Sequence, residues 1–350
     1  MAYTTIDDAG LFFNTKLYTG DGSTQSITGV GFQPDLIWGK QRTDSGANWF
    51  MFDAARGTAN LLESDTAAVP DTDATSLTAF DSDGFTLGAY AQSNENTKTM
   101  VSYNWKGGTT TGIDTTGSTI TPSAYSFNQT SRFSVIGYTG NATSGAKLPH
   151  GLGVTPTMAI FKNLQTTESW MVYQKYLHAT PEDYAMQLNT QGAAADNVGN
   201  FNDTVPDSVN MTLGDGAGTN SANTFIAYFF ADVQGYSKFS SYTANSNADG
   251  IFVYTGFKPA FVLIKATLGS INWNIFDTKR TPYNPEDPLW ANTTGSESSI
   301  GSYNVDLVSN GFKIKTVSSQ VNATSVDPYI YAAFAESPLV NSEGVPTNAR

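Results

Sequence analysis

Cysteine is absent from all 350 residues, which removes disulfides, thiolate catalysis and cysteine-type zinc sites together. Histidine is almost as scarce: His150 in "LPHGLG" and His178 in "KYLHAT" are the two in the chain. Neither has a partner at metal or triad spacing; the first reads as a polar turn residue and the second as a surface residue. Positive charge is thin as well, since 18 Lys and Arg stand against 31 Asp and Glu for a net charge of −13. A polyanion or an anionic membrane surface is repelled by such a chain, so neither nucleic acid nor membrane is expected as a partner. The roughly 18-residue apolar run that a membrane helix needs is missing. The opening "MAYTTIDDAGLFF" places two aspartates where a secretory leader needs basic and then apolar residues.

Helical periodicity is also lacking. The best candidate, "TPEDYAMQLN" (180–189), is short and reads equally as a turn into a strand. What the chain has in quantity is aromatic side chains, with 21 Phe and 17 Tyr among 39 % hydrophobic residues. That is ample for a folded core despite 32 Gly.

The aromatics recur in order. "LYTG" (17–20), "GYTG" (137–140) and "SYTA" (241–244) open three runs, followed by the proline strands "FQPDLIWGK" (32–40), "VTPTMAIFK" (154–162) and "FKPAFVLIK" (257–265). A tryptophan follows each lysine with a large aromatic three positions on: Trp49 and Phe52, Trp170 and Tyr173, Trp273 and Phe276. Then come "FTLG" (85–88), "MTLG" (211–214) and "FKIK" (312–315), and each run closes on "VSYNW" (101–105), "IAYFF" (226–230) or "IYAAF" (330–334). Such an ordered recurrence is the signature of an internal repeat.

Within the strands, large residues alternate. Leu36 and Trp38, Met158 and Ile160, Phe261 and Leu263 lie two apart, as do Val101, Tyr103 and Trp105, and Phe334 ends the third such set. This is the period of half-buried strands. Lys40, Lys162 and Lys265 share that face and are expected to snorkel at the core's rim with the ammonium in water. Pro34, Pro156 and Pro259 mark where the strands begin, because proline donates nothing to a ladder. Trp49, Trp170 and Trp273 are expected in the core, with Met51, Val172 and Ile275 two residues on.

About seven short strands in roughly 100 residues, separated by Gly, Asn, Asp and Ser, predict antiparallel, jelly-roll-like β-sandwiches. The expected organisation is an arm at 1–13, sandwiches at 14–107, 132–236 and 237–339, a Thr/Ser/Gly-rich linker or polar arm at 108–131, and a tail at 340–350. A pseudo-trimer is conceivable, but one connection of about two dozen residues against a handful speaks against a closed symmetric ring.

No constellation reads as catalytic, metal-binding or cofactor-binding. "FDSDGF" (80–85) has half of a calcium loop, yet the twelfth position from Asp81 is Gln92 rather than an acid, so a turn is expected. "DTDATS" and "IDDAG" lack the apolar setting that drives carboxylate pKa values apart. "LGDGAGTNSAN" has no following lysine for a phosphate. Trp290, in "DPLWANTT", is the candidate for an exposed contact. Leu11, Phe12 and Phe13 are candidates for an assembly contact by strand addition.

From "TKLYTGDGSTQSITGVGFQPDLIWGKQR" through "NWNIFDTKR" to "YIYAAFAESPLVNSEGVPTNAR", the chain resembles a group of virion proteins of tailed bacteriophages, frequent in phages of marine bacteria and cyanobacteria. The closing "AFAESP" and "NAR" are the most specific part. The resemblance implies a non-enzymatic structural component of the particle, such as a head decoration or neck protein. Its expected partners are other capsid or tail subunits, and it is present in several copies. It also implies synthesis in the bacterial cytoplasm and residence in the virion. The competing expectation is a tail-attached adhesin for a host receptor or glycan.

Overall fold

The four landmark strands of each run lie side by side in one antiparallel sheet, of four, seven and five strands in turn, and their spatial order is the same all three times: opening strand, closing strand, proline strand, tryptophan strand. The computed structural model describes residues 2–44, 46–281, 283–285, 287–297, 303–323 and 328–347. In the first unit these strands are Phe13–Thr19, Thr99–Trp105, Leu36–Gln41 and Phe50–Asp53. In the second they are Phe133–Thr139, Thr224–Phe230, Met158–Asn163 and Met171–Gln174. In the third they are Ser237–Thr243, Pro328–Pro338, Phe257–Ala266 and Asn274–Asp277. The register also repeats: Leu36 lies opposite Trp105, Met158 opposite Phe230 and Phe261 opposite Phe334.

A smaller sheet backs each main one. Gln25–Thr28, Gly84–Leu87 and Leu77–Asp81 form the first, Ala146–Pro149 and Asn210–Leu213 the second, and Phe252–Tyr254, Gly311–Ile314 and Val305–Val308 the third. In the first unit, Ile37, Phe50 and Phe52 pack against Ile27, Leu77, Phe85 and Leu87 between the two layers. In the second, Ala159, Phe161 and Phe229 pack against Leu148, Met211 and Leu213. The fold is therefore all-β and sandwich-like.

The other faces of the main sheets meet one another. Leu36, Trp38, Met158, Ile160, Phe261 and Leu263 all belong to one hydrophobic core that spans the three units. The closing strands supply its centre, where the Trp105, Phe230 and Phe334 rings sit mutually edge to face with centroids 5.5, 5.9 and 6.1 Å apart. Residues at one register position thus form a triangle about a pseudo-threefold axis. An apolar cavity of about 20 Å³ lies beside it, so the axis is closed by side chains rather than left as a channel.

Several expectations fail for related reasons. Apart from Lys258, the proline strands are buried along their length on both faces rather than half-buried, because the face opposite the sandwich core is covered by neighbouring units. The ring is closed despite the unequal connections. The tract 108–131 is largely not a linker: Pro122–Asn128 is a strand paired with the second unit's opening strand, and Ile120 is buried in that unit's core. Its extra length is taken up by the second unit itself.

The N-terminal segment is not a free arm. Ile6, Ala9 and Phe13 are buried in the shared core, and Phe13 stacks on Phe334 at 5.0 Å. Phe12 packs edge-on against Tyr236, and Leu11 alone of the proposed contact residues is half exposed. Asp7 also ties the start of the chain to its end by accepting bonds from the backbone N–H and hydroxyl of Ser342 at 2.7 and 2.6 Å. The final "NAR" lies outside the described residues.

Pro34 and Pro156 stand just ahead of their strands, but Pro259 lies inside Phe257–Ala266, where a register shift accommodates the missing donor. At 181–183 a 3₁₀ turn leads into the strand Tyr184–Gln187.

Candidate functional site at the three interfaces

Each unit hands one tryptophan to its neighbour. The Trp49, Trp170 and Trp273 rings are fully buried. In each, the backbone N–H is held by an Asx side chain of the same unit: Asp65, Asn189 or Asn292, at 3.0, 3.0 and 2.9 Å. Each indole N–H then donates across an interface to the carbonyl two residues before the next unit's own Asx: Trp49 to Trp290, Trp170 to Glu63 and Trp273 to Gln187, at 2.9 to 3.0 Å. The direction is cyclic: first unit onto third, second onto first, third onto second.

The three lysines follow the same cycle. Lys40 Nζ donates to the Thr294 carbonyl at 3.3 Å, Lys162 to Ala67 at 2.8 Å and Lys265 to Gln191 at 3.1 Å. Each also reaches a carbonyl in its own unit: Ala47, Glu168 or Ala266. The expected wet ammonium is thus corrected, for all three residues are buried and their donors face carbonyls. Burial pulls each pKa down to about 8, because the charged form loses its hydration. The Asp65 and Glu168 charges partly oppose this at Lys40 and Lys162.

A third tie distinguishes the interfaces. Tyr103 donates to Asp277 Oδ2 at 2.7 Å, and Asp277 is paired with Arg280, which also meets Glu297 Oε1 at 2.9 Å. Tyr228 likewise donates to Asp53 Oδ2 at 2.8 Å, and Asp53 is paired with Arg56 at 2.6 Å. Burial pushes both tyrosine hydroxyls well above their ordinary pKa, and the facing aspartates add to it. At the interface of the third unit with the second, the register puts Ala332 where the others have tyrosine and Gln174 where they have aspartate. Leu177 stands where the others have arginine. Tyrosine, aspartate and arginine are replaced together, as expected when each would be costly to bury without the other two. Sequence reading missed these residues. The signal was the shared spacing in "FDAAR" and "FDTKR", against "YQKYL" in the second unit.

The other candidates sit apart from this arrangement. Trp290 is half-buried rather than a free contact: its indole donates to Asn274 Oδ1 at 3.0 Å and its ring meets Tyr303 edge-on. His150 is fully buried. Its Nδ1 accepts from the Leu152 N–H at 3.2 Å and its Nε2 donates to the Asp207 carbonyl at 3.3 Å, and burial lowers its pKa to about 4. His178 is exposed. In "FDSDGF", Asp83 accepts from the backbone N–H groups of Gly29 and Gly31 at 2.9 and 2.7 Å, and Asp81 accepts from Thr86 at 2.6 Å. Both acids therefore brace a turn. Among the described residues no group of three or more His, Asp or Glu is placed to hold a metal ion. No helix of the described residues is long and apolar enough to cross a membrane.

Residues 8–338 match a family model described as Domain of unknown function (DUF7483), and the chain belongs to that family. No curated protein and no solved structure matches it.

Proposed function

We propose that the protein is a non-enzymatic structural component of a tailed-bacteriophage particle, carried on the outside of the head or at the neck. The observation that carries this reading is the use made of the buried polar side chains. The interface lysines, tryptophans and tyrosines are turned inward and joined to the neighbouring unit, and the aspartates that receive the tyrosines are held by arginines of their own unit. Such an arrangement favours a rigid building block over a cleft that must admit substrate and release product. The sequence resemblance to phage virion proteins supplies the setting, and the acidic surface disfavours a role on packaged DNA.

The test is the number and place of copies in purified particles, by quantitative mass spectrometry and gold labelling. Tens to hundreds of copies on the head or neck are expected. Copies on the tail in multiples of three or six would replace this reading with that of an adhesin for a host receptor or glycan. Absence from purified particles would overturn both.

A further inference from the structure

Linear order leaves one seam of the ring with no peptide across it. The chain passes from the first unit to the second through 106–132 and from the second to the third through 231–236. The third and first units therefore meet without a covalent link.

The short connection shows what a link at such a place looks like. The Tyr236 N–H donates to the Val233 carbonyl at 2.9 Å, and the Tyr236 carbonyl accepts from the Ala335 N–H at 2.7 Å. Val233 and Tyr236 are both buried in the core that the three units share.

Residues 7–12 retrace that path at the unlinked seam. Pairing register makes Phe13 equivalent to Ser237, since they lie opposite Trp105 and Phe334. Ala9 then falls where the connection has Val233, and Phe12 where it has Tyr236. The bonds repeat as well: the Phe12 N–H donates to the Ala9 carbonyl, and the Phe12 carbonyl accepts from the Lys106 N–H, both at 3.0 Å. Ala9 is buried in the shared core and Phe12 packs against it.

Contacts do at the far end of this segment what a peptide bond does in the connection. Asp7 is bound to Ser342, beyond the third unit's closing strand. Tyr3 Oη donates to the Gly256 carbonyl of the third unit at 2.7 Å and lies 3.2 Å from Tyr254 Oη. Ile6, between them, is 2 % exposed and belongs to the shared core.

We propose that residues 3–12 are a clasp, a connecting segment docked rather than joined, and that the seam it holds between the third and first units is where the ring opens without unfolding. A covalent connection keeps the partners at each of the other two interfaces at high effective concentration. At the clasped seam, opening is governed by how often the segment undocks.

The interface indoles provide the test, because Trp49, Trp170 and Trp273 are fully buried and donate across three different interfaces at 2.9 to 3.0 Å. Hydrogen exchange of these three indole N–H groups is followed by NMR in the full chain and in Ile6→Asp, which unseats the clasp by bringing a carboxylate into the core. Exchange at Trp49 should quicken about tenfold or more, with Trp170 and Trp273 changed by less than about twofold. Should Ile6→Asp fail to fold, Tyr3→Phe with Asp7→Ala removes the bonds at the surface alone and should quicken Trp49 selectively by about threefold. Equal or greater acceleration at Trp170 or Trp273 would make the segment an ordinary contributor to stability and overturn the clasp. Unchanged exchange at Trp49 in the variants that fold would overturn it too.

Discussion

Two of the three interfaces are joined through a buried tyrosine, aspartate and arginine, and the third through alanine, glutamine and leucine. The tryptophan and lysine ties are common to all three. The difference teaches which parts closure of the ring requires. Indole and ammonium groups donating to a neighbour's carbonyls recur everywhere, whereas the charged set is optional provided that it is kept or lost entire. A buried ion pair stabilises little relative to apolar residues of similar volume, but half of one is costly.

The largest effect should therefore come from breaking one set in part. Asp277→Ala leaves Arg280 buried without its main counter-charge and should destabilise by about 3–5 kcal/mol, read from urea unfolding. Converting the other set as a whole, with Tyr228→Ala, Asp53→Gln and Arg56→Leu, should cost less than Asp53→Ala alone. A simple sum of the three single effects would break the comparison.

The shared lysines give the next effect. Each is lowered from the ordinary 10.5 to about 8 in the folded protein, so between pH 8 and 10.5 the unfolded chain binds more protons than the folded one. Stability should rise with pH across that window, by up to about 2–3 kcal/mol per lysine. Tyrosines held protonated by burial reverse the trend above about pH 10. Lys265→Met should remove about a third of the rise in unfolding midpoints, and a flat profile in the parent would contradict the burial argument.

Installing the missing tyrosine sharpens the contrast from the other side. The cavity near the axis is far smaller than a tyrosine ring, so Ala332→Tyr should cost about 1–3 kcal/mol by overpacking. Adding Gln174→Asp and Leu177→Arg should recover part of that loss.

The smallest effect concerns the first unit's Asx. Asn189 and Asn292 each donate an amide N–H to a side chain of their own unit, Ser169 and Asn272, whereas Asp65 Oδ2 is buried without a partner. Burial raises its pKa to about 6, with Glu63 adding and Lys40 opposing. Native Asp65 therefore holds its proton longer than the unfolded chain, and its contribution to stability is lost as pH climbs from about 4 through 6. Asp65→Asn should stabilise by about 1 kcal/mol at pH 7 and flatten that part of the profile.

The proline strands, the core tryptophans and the all-β class were legible because they depend on local periodicity and on proline's missing donor. Ring closure was not, since Leu36 and Trp38 alternate identically whether the opposite face of the strand meets water or another sheet. The lysines misled for a similar reason: nothing near Lys40 in sequence announces an acceptor at Thr294. The tract around Ile120 looked spare because its composition is that of a loop, although Thr119 and Ile120 are tied to the Lys147 carbonyl and an edge strand begins at Pro122. The charged sets were in plain view at Asp53 with Arg56 and Asp277 with Arg280. Their tyrosine partners, however, lie 175 and 174 residues away along the chain.

The cyclic order of the tryptophan bonds bears on how the molecule is made. The acceptor for Trp49 is 241 residues downstream, and Phe334, the last corner of the aromatic triangle, is in the final long strand. A ribosome must therefore deliver nearly the whole chain before the first unit's inner face can be covered. Until then Trp105 has no Phe334 ring to meet, and the closing strand of the third unit supplies that last corner.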